Sequence, residues 1–285
     1  MRRLIGKTKN HGTGNTSMST ANGRKAIFIT GAASGIGLGA ATRFAKEGWF
    51  VGLSDIDEAG LKAALAQIGP DNGATFKLDV RDARAWDNAL GGFAKLTDGR
   101  LDVLLNNAGI ANYGFFEDQT GDEAERQIDI NVKGVIHGAR AGLPLLKAAK
   151  GSTLINVASC AGLFGAPKMA IYCASKFAVR GLSESLDIEW ARHGVAVRCI
   201  MPWFVETPIL QAGSQGSNEK IADVIRQGGS PVYTVDEASD VIWRAAQPGN
   251  VLHWIVGKAG KRMQFATRFM PGSVRKQLKA SAAQS

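Results

Sequence analysis

A single-domain, doubly wound α/β fold with about seven parallel strands and helices on both faces is what this sequence predicts, on three observations. Short apolar runs alternate with amphipathic stretches of helical period along most of the chain. The first apolar run passes directly into a glycine-rich turn and then a helix. The 285 residues, 45% of them hydrophobic, can bury one large core more readily than two small ones.

Residues 1–23 are polar, rich in Gly, Ser, Thr and Asn and without periodicity, which predicts a disordered N-terminal tail. Met18 opens a second, better-formed start, MSTANGRK. Residues 26–30 (AIFIT) read as a buried strand, followed by GAASGIG at 31–37 and a helical pattern over 38–47. Strand, glycine-rich turn and helix in that order bring backbone N–H groups and a helix N-terminus up to a phosphate. Gly31, Ser34, Gly35, Ile36 and Gly37 are therefore candidate contacts for a dinucleotide, and residues 24–257 a Rossmann-type catalytic domain.

Residues 50–54 read as the second strand, ending at Asp55. A carboxylate there can accept hydrogen bonds from a ribose 2′-OH and would repel a 2′-phosphate. With no Arg or Lys beside it, Asp55 predicts NAD over NADP. A helix capped by Asp57 over 57–68, a third strand over 75–80 carrying Asp79 and Val80, and a helix over 82–96 follow. The fourth strand, 101–105, runs into Asn106-Asn107-Ala108-Gly109, small residues and amides suited to packing closely over a cofactor. Beyond residue 193 the pattern predicts a sixth strand at 195–201 and a mobile loop with a short helix at 208–233, rich in Gly and Ser, covering the substrate. A helix at 234–247 with a Thr234/Glu237 capping box and a last strand at 252–256 complete the domain.

Several function classes are disfavoured. No apolar run approaches 18 residues, so no membrane span is expected. Arg2 and Arg3 precede no apolar segment of the kind a secretory signal needs, and Cys160, Cys173 and Cys199 show no metal-ligand spacing; reduced thiols in a cytoplasmic protein are expected, with no metal. The net charge of +9 belongs to the ends. Residues 1–17 carry four basic residues and 258–285 seven, with no acid in either; setting those eleven aside leaves 23 basic against 25 acidic residues. A nucleic-acid partner is not expected. The basic C-terminal extension, 258–285, alternates cations with apolar residues around Pro271-Gly272, which fits weak contact with an anionic membrane surface or a tail packed on a neighbour.

The chemistry concentrates in SCAGLFGAPKMAIYCASK at 159–176. If the segment after Pro167 is helical, Tyr172 and Lys176 stand four apart on one face. A cation beside a phenol favours the phenolate and lowers its pKa from about 10. That makes Tyr172 an acid/base able to work near neutral pH, with Ser159 placed to donate to a reacting oxygen. An isolated Y-x-x-x-K is weak evidence; its weight comes from the rest of the chain.

TGAASGIG at 30–37, NNAG at 106–109, Asn131 in INVKG, Ser159, and YCASK at 172–176 together resemble the short-chain dehydrogenase/reductase family over about residues 25–257. The resemblance implies that Tyr172 is the catalytic acid/base, that Lys176 lowers its pKa and binds the nicotinamide ribose, and that Ser159, 13 residues before Tyr172, holds the substrate oxygen. It implies that Asn131 holds a water for a proton relay behind Lys176. Asp79 and Val80 resemble adenine contacts, Asn107, Ala108 and Gly109 the adenosine-ribose side, and Pro202, Val205 and Thr207 the nicotinamide side. NAD as cofactor and a homotetramer or homodimer are implied as well. The family usually has Pro-Gly where this chain has Pro202-Trp203, so Trp203 must point away from the nicotinamide.

The activity expected is NAD-dependent interconversion of a hydrophobic secondary alcohol and its ketone. A pocket drawn from Phe115, Phe164, Trp203 and Phe204, with Ile110, Tyr113, Phe116, Leu163, Ile209 and Leu210 nearby, is mostly apolar and favours a bulky hydrophobic molecule. Two other readings fit the same residues: a non-catalytic dinucleotide-sensing or scaffold protein on this fold, and an NADP(H)-preferring carbonyl reductase.

Overall fold

The computed structural model describes residues 20–211 and 220–283. Seven strands alternate with helices: β1 (Ala26–Thr30), α1 (Gly35–Lys46), β2 (Phe50–Asp55), α2 (Glu58–Ile68), β3 (Gly73–Lys77), α3 (Ala83–Leu96) and β4 (Val103–Asn106) form the first half. The second half runs α4 (Gly121–Ile128), α5 (Gly134–Ala148), β5 (Thr153–Val157), α6 (Ala170–Trp190), β6 (Ala196–Pro202), α7 (Ile221–Gly228), α8 (Val235–Ala245) and β7 (His253–Val256), then α9 (Lys258–Phe269) and α10 (Pro271–Ala282). The strands pair in the order β3-β2-β1-β4-β5-β6-β7, all parallel. This is the doubly wound sheet that the sequence predicts. Its order reverses between β1 and β4, where Ile27, Phe28 and Ile29 sit opposite Val103, Leu104 and Leu105. A crevice at the carboxyl ends of the strands opens at that switch point.

Strand periodicity divides the core into two layers. Ile27 and Ile29, with Val103, Leu105, Ile155 and Val157, face α1, α2 and α8. Ala26, Phe28, Leu104 and Leu154 face α3, α5 and the end of α6. In the second layer Phe28 meets Phe93 edge-on with ring centroids 5.3 Å apart, and Trp86 lies fully buried beside them. Such burial contributes about 1.5–3 kcal/mol per large side chain and makes both faces rigid under the site.

Boundaries differ from expectation for identifiable reasons. β3 ends at Lys77 rather than at residue 80 because its neighbour β2 ends at Asp55: Lys77 pairs with Asp55, and the Leu78 N–H makes the last rung, donating to the Asp55 carbonyl at 2.9 Å. Leu78 and Val80 are apolar because they are buried beneath Trp86, whose indole N–H donates to the Val80 carbonyl at 3.1 Å. β4 begins at Val103 rather than Leu101. The Asp102 side chain accepts from the Ala26 N–H at 2.9 Å and from Arg100 at 2.7 Å, joining the two strand entrances. The tail expected to be disordered as far as residue 23 becomes ordered earlier, since Ala21 is buried and its N–H donates to the Leu96 carbonyl at 2.8 Å. The rest of that tail, 1–19, and the middle of the expected mobile loop, 212–219, lie outside the described residues. The C-terminal extension forms two helices, with Pro271 in the first turn of α10, where a missing N–H is harmless.

Between α4 and α5 the helix widens into a π-turn at Asp129–Lys133, with the Gly134 N–H donating to the Asp129 carbonyl five residues back. Such single turns frequently mark functional sites. Asn131, fully buried, sits in this one.

Candidate active site

The glycine-rich turn is shaped by two demands. Gly31 and Gly35 adopt φ of +67° and +54°, the left-handed region in which a side chain is strained. Gly37 has ordinary torsions, but a Cβ there would stand 2.1 Å from the Gly31 carbonyl oxygen and 2.7 Å from Asn107 Nδ2. The turn is therefore folded tightly onto the end of β4. Asn107 Nδ2 donates to the Thr30 carbonyl at 2.9 Å, while Thr30 Oγ1 accepts from the N–H groups of Asn107 and Ala108 at 3.0 Å. Asp55, at the end of β2, accepts from Ala33 N–H in the turn at 3.2 Å and from Asp57 N–H at 3.1 Å.

A cavity of about 640 Å³ runs along this crevice. One end is lined by Gly31, Ser34, Gly35, Ile36 and Asp55, the middle by Asp79, Val80, Asn107, Ala108 and Gly109. The far end is lined by Ser159, Tyr172, Lys176, Pro202, Val205 and Thr207. The chain thus brings together, around one space, the residues that the sequence separates by up to 176 positions. The donors fit a dinucleotide. Ser34 caps α1 without a side-chain bond and no acid occupies the first turn, which leaves the first-turn N–H groups to an outside acceptor such as a diphosphate. Gly37 is a packing glycine beneath that surface rather than part of it.

At the chemical end, β5 delivers Ser159 and α6 delivers Tyr172 and Lys176. α6 begins at Ala170 because Lys168, with φ of +59°, cannot extend a helix backward through Pro167. Ser159 caps a short 3-10 turn, accepting from Ala161 N–H at 3.1 Å; that turn packs on α6 so closely that a Cβ on Gly162 would lie 2.8 Å from the Lys176 carbonyl oxygen. The Ser159 hydroxyl points to the Pro202 carbonyl, at 3.5 Å, and is close enough to the Tyr172 phenol to lower its pKa. Lys176 Nζ donates to the Val157 carbonyl at 3.0 Å and lies 5.5 Å from the centre of the Tyr172 ring.

The electrostatics correct one expectation. Burial pushes the Tyr172 phenol up to about 12; Ser159 pulls it back in part, and Lys176 is not among its perturbers. Lys176 is itself pulled down to about 8 by burial. Desolvation outweighs attraction here because the ammonium is sequestered against a backbone carbonyl rather than paired with the phenol oxygen. A phenol near neutral pKa thus needs further positive charge.

Asn131 is not on the cavity wall. Its amide accepts from Ile110 N–H at 2.9 Å and donates to the Ile110 carbonyl at 2.9 Å and to Ser175 Oγ at 3.1 Å. Ser175 in turn donates to the Tyr172 carbonyl at 2.7 Å. Both side-chain amide donors are therefore committed to protein. A Cβ on Gly109 would meet Asn131 Oδ1 at 3.2 Å and Lys176 Nζ at 3.6 Å, so the strand end threads between the two.

Trp203, Phe164 and Phe204 line the cavity, as do Ile110, Ile209 and Leu210. Trp203 lies against Phe164 (ring centroids 6.3 Å apart) and meets Phe204 edge-on at 5.3 Å; its buried indole N–H has no partner among the described residues. Phe115 is elsewhere, on a neighbouring cleft together with Leu163; Tyr113 is buried in the core, and Phe116 is exposed. Composition could not separate these aromatics.

The sequence reading missed Arg81 and Arg126, both on the cavity wall. Arg81 grips Asp79 through Nε and Nη2, at 3.0 and 2.6 Å, which holds the Asp79 carboxyl below its usual range and raises the guanidinium. The signal was available, since Arg81 follows Asp79 by two residues. The three thiols behave as filler: burial raises all of them, Cys160 to about 12 and Cys199 to about 11, which keeps them protonated. Among the described residues no helix is long and apolar enough to cross a membrane, and no His, Cys, Asp and Glu group could hold a metal ion.

Fold and cavity together define a dinucleotide-binding α/β protein of the oxidoreductase class. The chain belongs to the short-chain dehydrogenase family, whose profile, described as "short chain dehydrogenase", matches residues 25–218. Over 187 residues it is 37% identical to the 2,5-dichloro-2,5-cyclohexadiene-1,4-diol dehydrogenase LinX of Sphingobium indicum, covering 65% of this chain and 74% of that protein. It is 38% identical over 190 residues to a cyclopentanol dehydrogenase of Comamonas sp., covering 66% and 75%. Among solved structures, a short-chain dehydrogenase/reductase from Burkholderia phymatum in complex with NAD superposes with a TM-score of 0.77 at 24% identity, over 91% of this chain and 96% of that one. The 3-ketoacyl-(acyl-carrier-protein) reductase of Brucella melitensis complexed with NADH superposes at 0.72, with 29% identity, over 82% and 98%.

Proposed function

We propose that this protein is an NAD-dependent oxidoreductase interconverting a hydrophobic secondary alcohol and its ketone. The observation that carries the reading is the convergence of Ser159, Tyr172 and Lys176 on one end of a cavity whose other end holds the glycine-rich turn and Asp55. In the oxidative direction Tyr172 takes the hydroxyl proton as the carbinol hydrogen departs as hydride, and in reduction it returns that proton. Ser159 donates to the substrate oxygen and opposes charge building there. Lys176 and the 2′-OH of the ribose are natural partners. Asn131 acts as a positioning residue, fixing Ile110 and, through Ser175, the Tyr172 turn of α6. When bound, oxidised nicotinamide supplies the hydride acceptor and the positive charge that the Tyr172 phenol lacks in the protein alone. Activity on a panel of alcohols and ketones with both cofactors tests the reading. Tight NAD binding without turnover anywhere on that panel would identify a sensor or scaffold instead.

Two relatives are named for cyclic alcohols, and the aromatic wall of Trp203, Phe164 and Phe204 suits a ring of that kind. Trp203→Ala is expected to lower kcat/KM for cyclopentanol roughly 10–100-fold, the effect of one lost apolar contact of about 1–3 kcal/mol. NAD affinity should stay within about threefold. Equal losses in NAD binding would place Trp203 on the cofactor side.

NAD preference rests on Asp55, which lines the cavity and accepts a hydrogen bond from the glycine-rich turn. Asp55→Asn should raise kcat/KM with NADP by roughly tenfold or more, one relieved charge repulsion being worth about 1.4 kcal/mol or above. An unchanged NADP/NAD ratio would remove Asp55 from the discrimination. A homotetramer or homodimer in the cytoplasm completes the proposal; exposed Ile136 on α5 and Phe177 and Ile188 on α6 offer apolar surface for a second copy.

A further inference from the structure

α10 overhangs the active-site region without packing flush against it. No residue of α10 is buried; Val274, Leu278 and Ala282, spaced four apart on one face, are half-exposed over a cleft of about 670 Å³. The opposite wall is the loop at 163–168, with Phe115. Apolar clefts of about 300–1,000 Å³ are where ligands bind.

The cleft has three distinguishing features. Phe164 and Ala166 line both it and the active-site cavity, so the two spaces share a wall. Its charged lining is wholly cationic, Lys168, Arg275 and Lys279, with no carboxylate among the described residues. The loop also holds Lys168 in the left-handed region at φ +59°, with Gly114 N–H donating to its carbonyl at 2.9 Å and its ammonium 4.9 Å above the Phe115 ring. A lysine in that conformation is strained, and strain of this kind persists where the surroundings hold a residue at a site.

We propose that the cleft binds the distal part of the substrate, which is an anionic amphiphile. Its carbinol or carbonyl end enters the cavity at Tyr172, its hydrocarbon segment passes Phe164, and its carboxylate meets Arg275 and Lys279 beneath α10. Arg275 can take a carboxylate in bidentate fashion, and Val274 and Leu278 supply the apolar roof. This deepens the oxidoreductase reading above and rests on it. It narrows the substrate from any hydrophobic alcohol to one carrying a remote negative charge. The competing occupant is an anionic membrane surface, since α9 and its C-cap expose Phe265, Phe269 and Met270.

Dodecanoate below its micellar concentration is the probe, titrated calorimetrically into the full-length protein, the double variant R275E/K279E, and Leu278→Trp, which narrows the cleft under its apolar roof. Saturable binding to wild type, weakened at least tenfold in both variants with NAD affinity and circular dichroism unchanged, is the expected result. On a matched pair of substrates, a neutral cyclic alcohol and its analogue bearing an ω-carboxyalkyl chain, the variants should raise KM at least tenfold for the anionic member only. Equal dodecanoate binding in all three proteins, or equal losses on both substrates, overturns the proposal. So does capture by phosphatidylglycerol vesicles with no binding of monomeric dodecanoate. Cleft-dependent dodecanoate binding without turnover of any alcohol would overturn the oxidoreductase reading and the substrate role, and support the anion site alone.

Discussion

Tyr172→Phe is expected to lower kcat roughly 10²–10⁴-fold, the range for loss of a positioned acid/base, while NAD binding and the circular dichroism spectrum persist. The substitution removes one oxygen from a half-buried ring on a long helix, so nothing in the fold depends on it. The pH profile makes the prediction specific. Burial holds the phenol up to about 12 in the protein alone, so alcohol oxidation, which needs the phenolate, should accelerate about tenfold per pH unit until the cofactor-bound phenol ionises. Ketone reduction, which needs the neutral phenol, should be flat over the same range and fall only above it. Tyr172→Phe should abolish the oxidative slope. A wild-type oxidation rate independent of pH between 6 and the ionisation limit, or full activity in the variant, would remove Tyr172 from the chemistry.

Lys176→Met is expected to abolish activity to a similar extent yet to stabilise the fold near neutral pH. Lys176 is buried, and burial lowers its pKa from 10.5 to about 8. The unfolded chain keeps this proton up to about 10.5, so between about pH 8 and 10.5 the unfolded state binds more protons and stability rises with pH. Below pH 8 the folded state carries the whole cost of a desolvated ammonium, about 3 kcal/mol for a shift of this size. Methionine has a similar length without the charge; it forfeits the hydrogen bond to the Val157 carbonyl, worth about 1 kcal/mol. A net gain of about 2 kcal/mol at pH 7 should therefore shrink and reverse as the pH passes 10. Denaturant unfolding of both proteins at pH 7 and 9.5 checks this, and a variant less stable at pH 7 would show that the ammonium is well solvated.

The doubly wound sheet was legible because its strands are buried on both faces and so read as continuous apolar runs, as in AIFIT at Ala26–Thr30. The glycine-rich turn, Asp55 and the pair Tyr172 and Lys176 were legible because local spacing carries their chemistry. Three things were not. Residues 78 and 80 look like strand, but their burial comes from Trp86 arriving through α3, a tertiary contact. Phe115 and Phe164 look equivalent in sequence, yet Phe115 lies under α10 and away from Tyr172, which only the path of the 163–168 loop decides. The direction of the Tyr172 shift depends on how deeply two side chains are desolvated, and spacing along a helix says nothing about depth.

The π-turn at Asp129–Lys133 sets a reading frame in three dimensions. α4 ahead of it packs on α6, while α5 beyond it packs on α3 and on β4 and β5. One extra residue in that turn offsets the two helical phases, by about 100° relative to an uninterrupted α-helix. A single codon lost between residues 121 and 148 would let the segment relax into regular helix, turning one packed face away from its layer and taking Asn131 out from between Ile110 and Ser175. Point substitutions on the exposed side of α4 and α5 leave that phase alone. The segment is thus open to changes of letter and closed to changes of length.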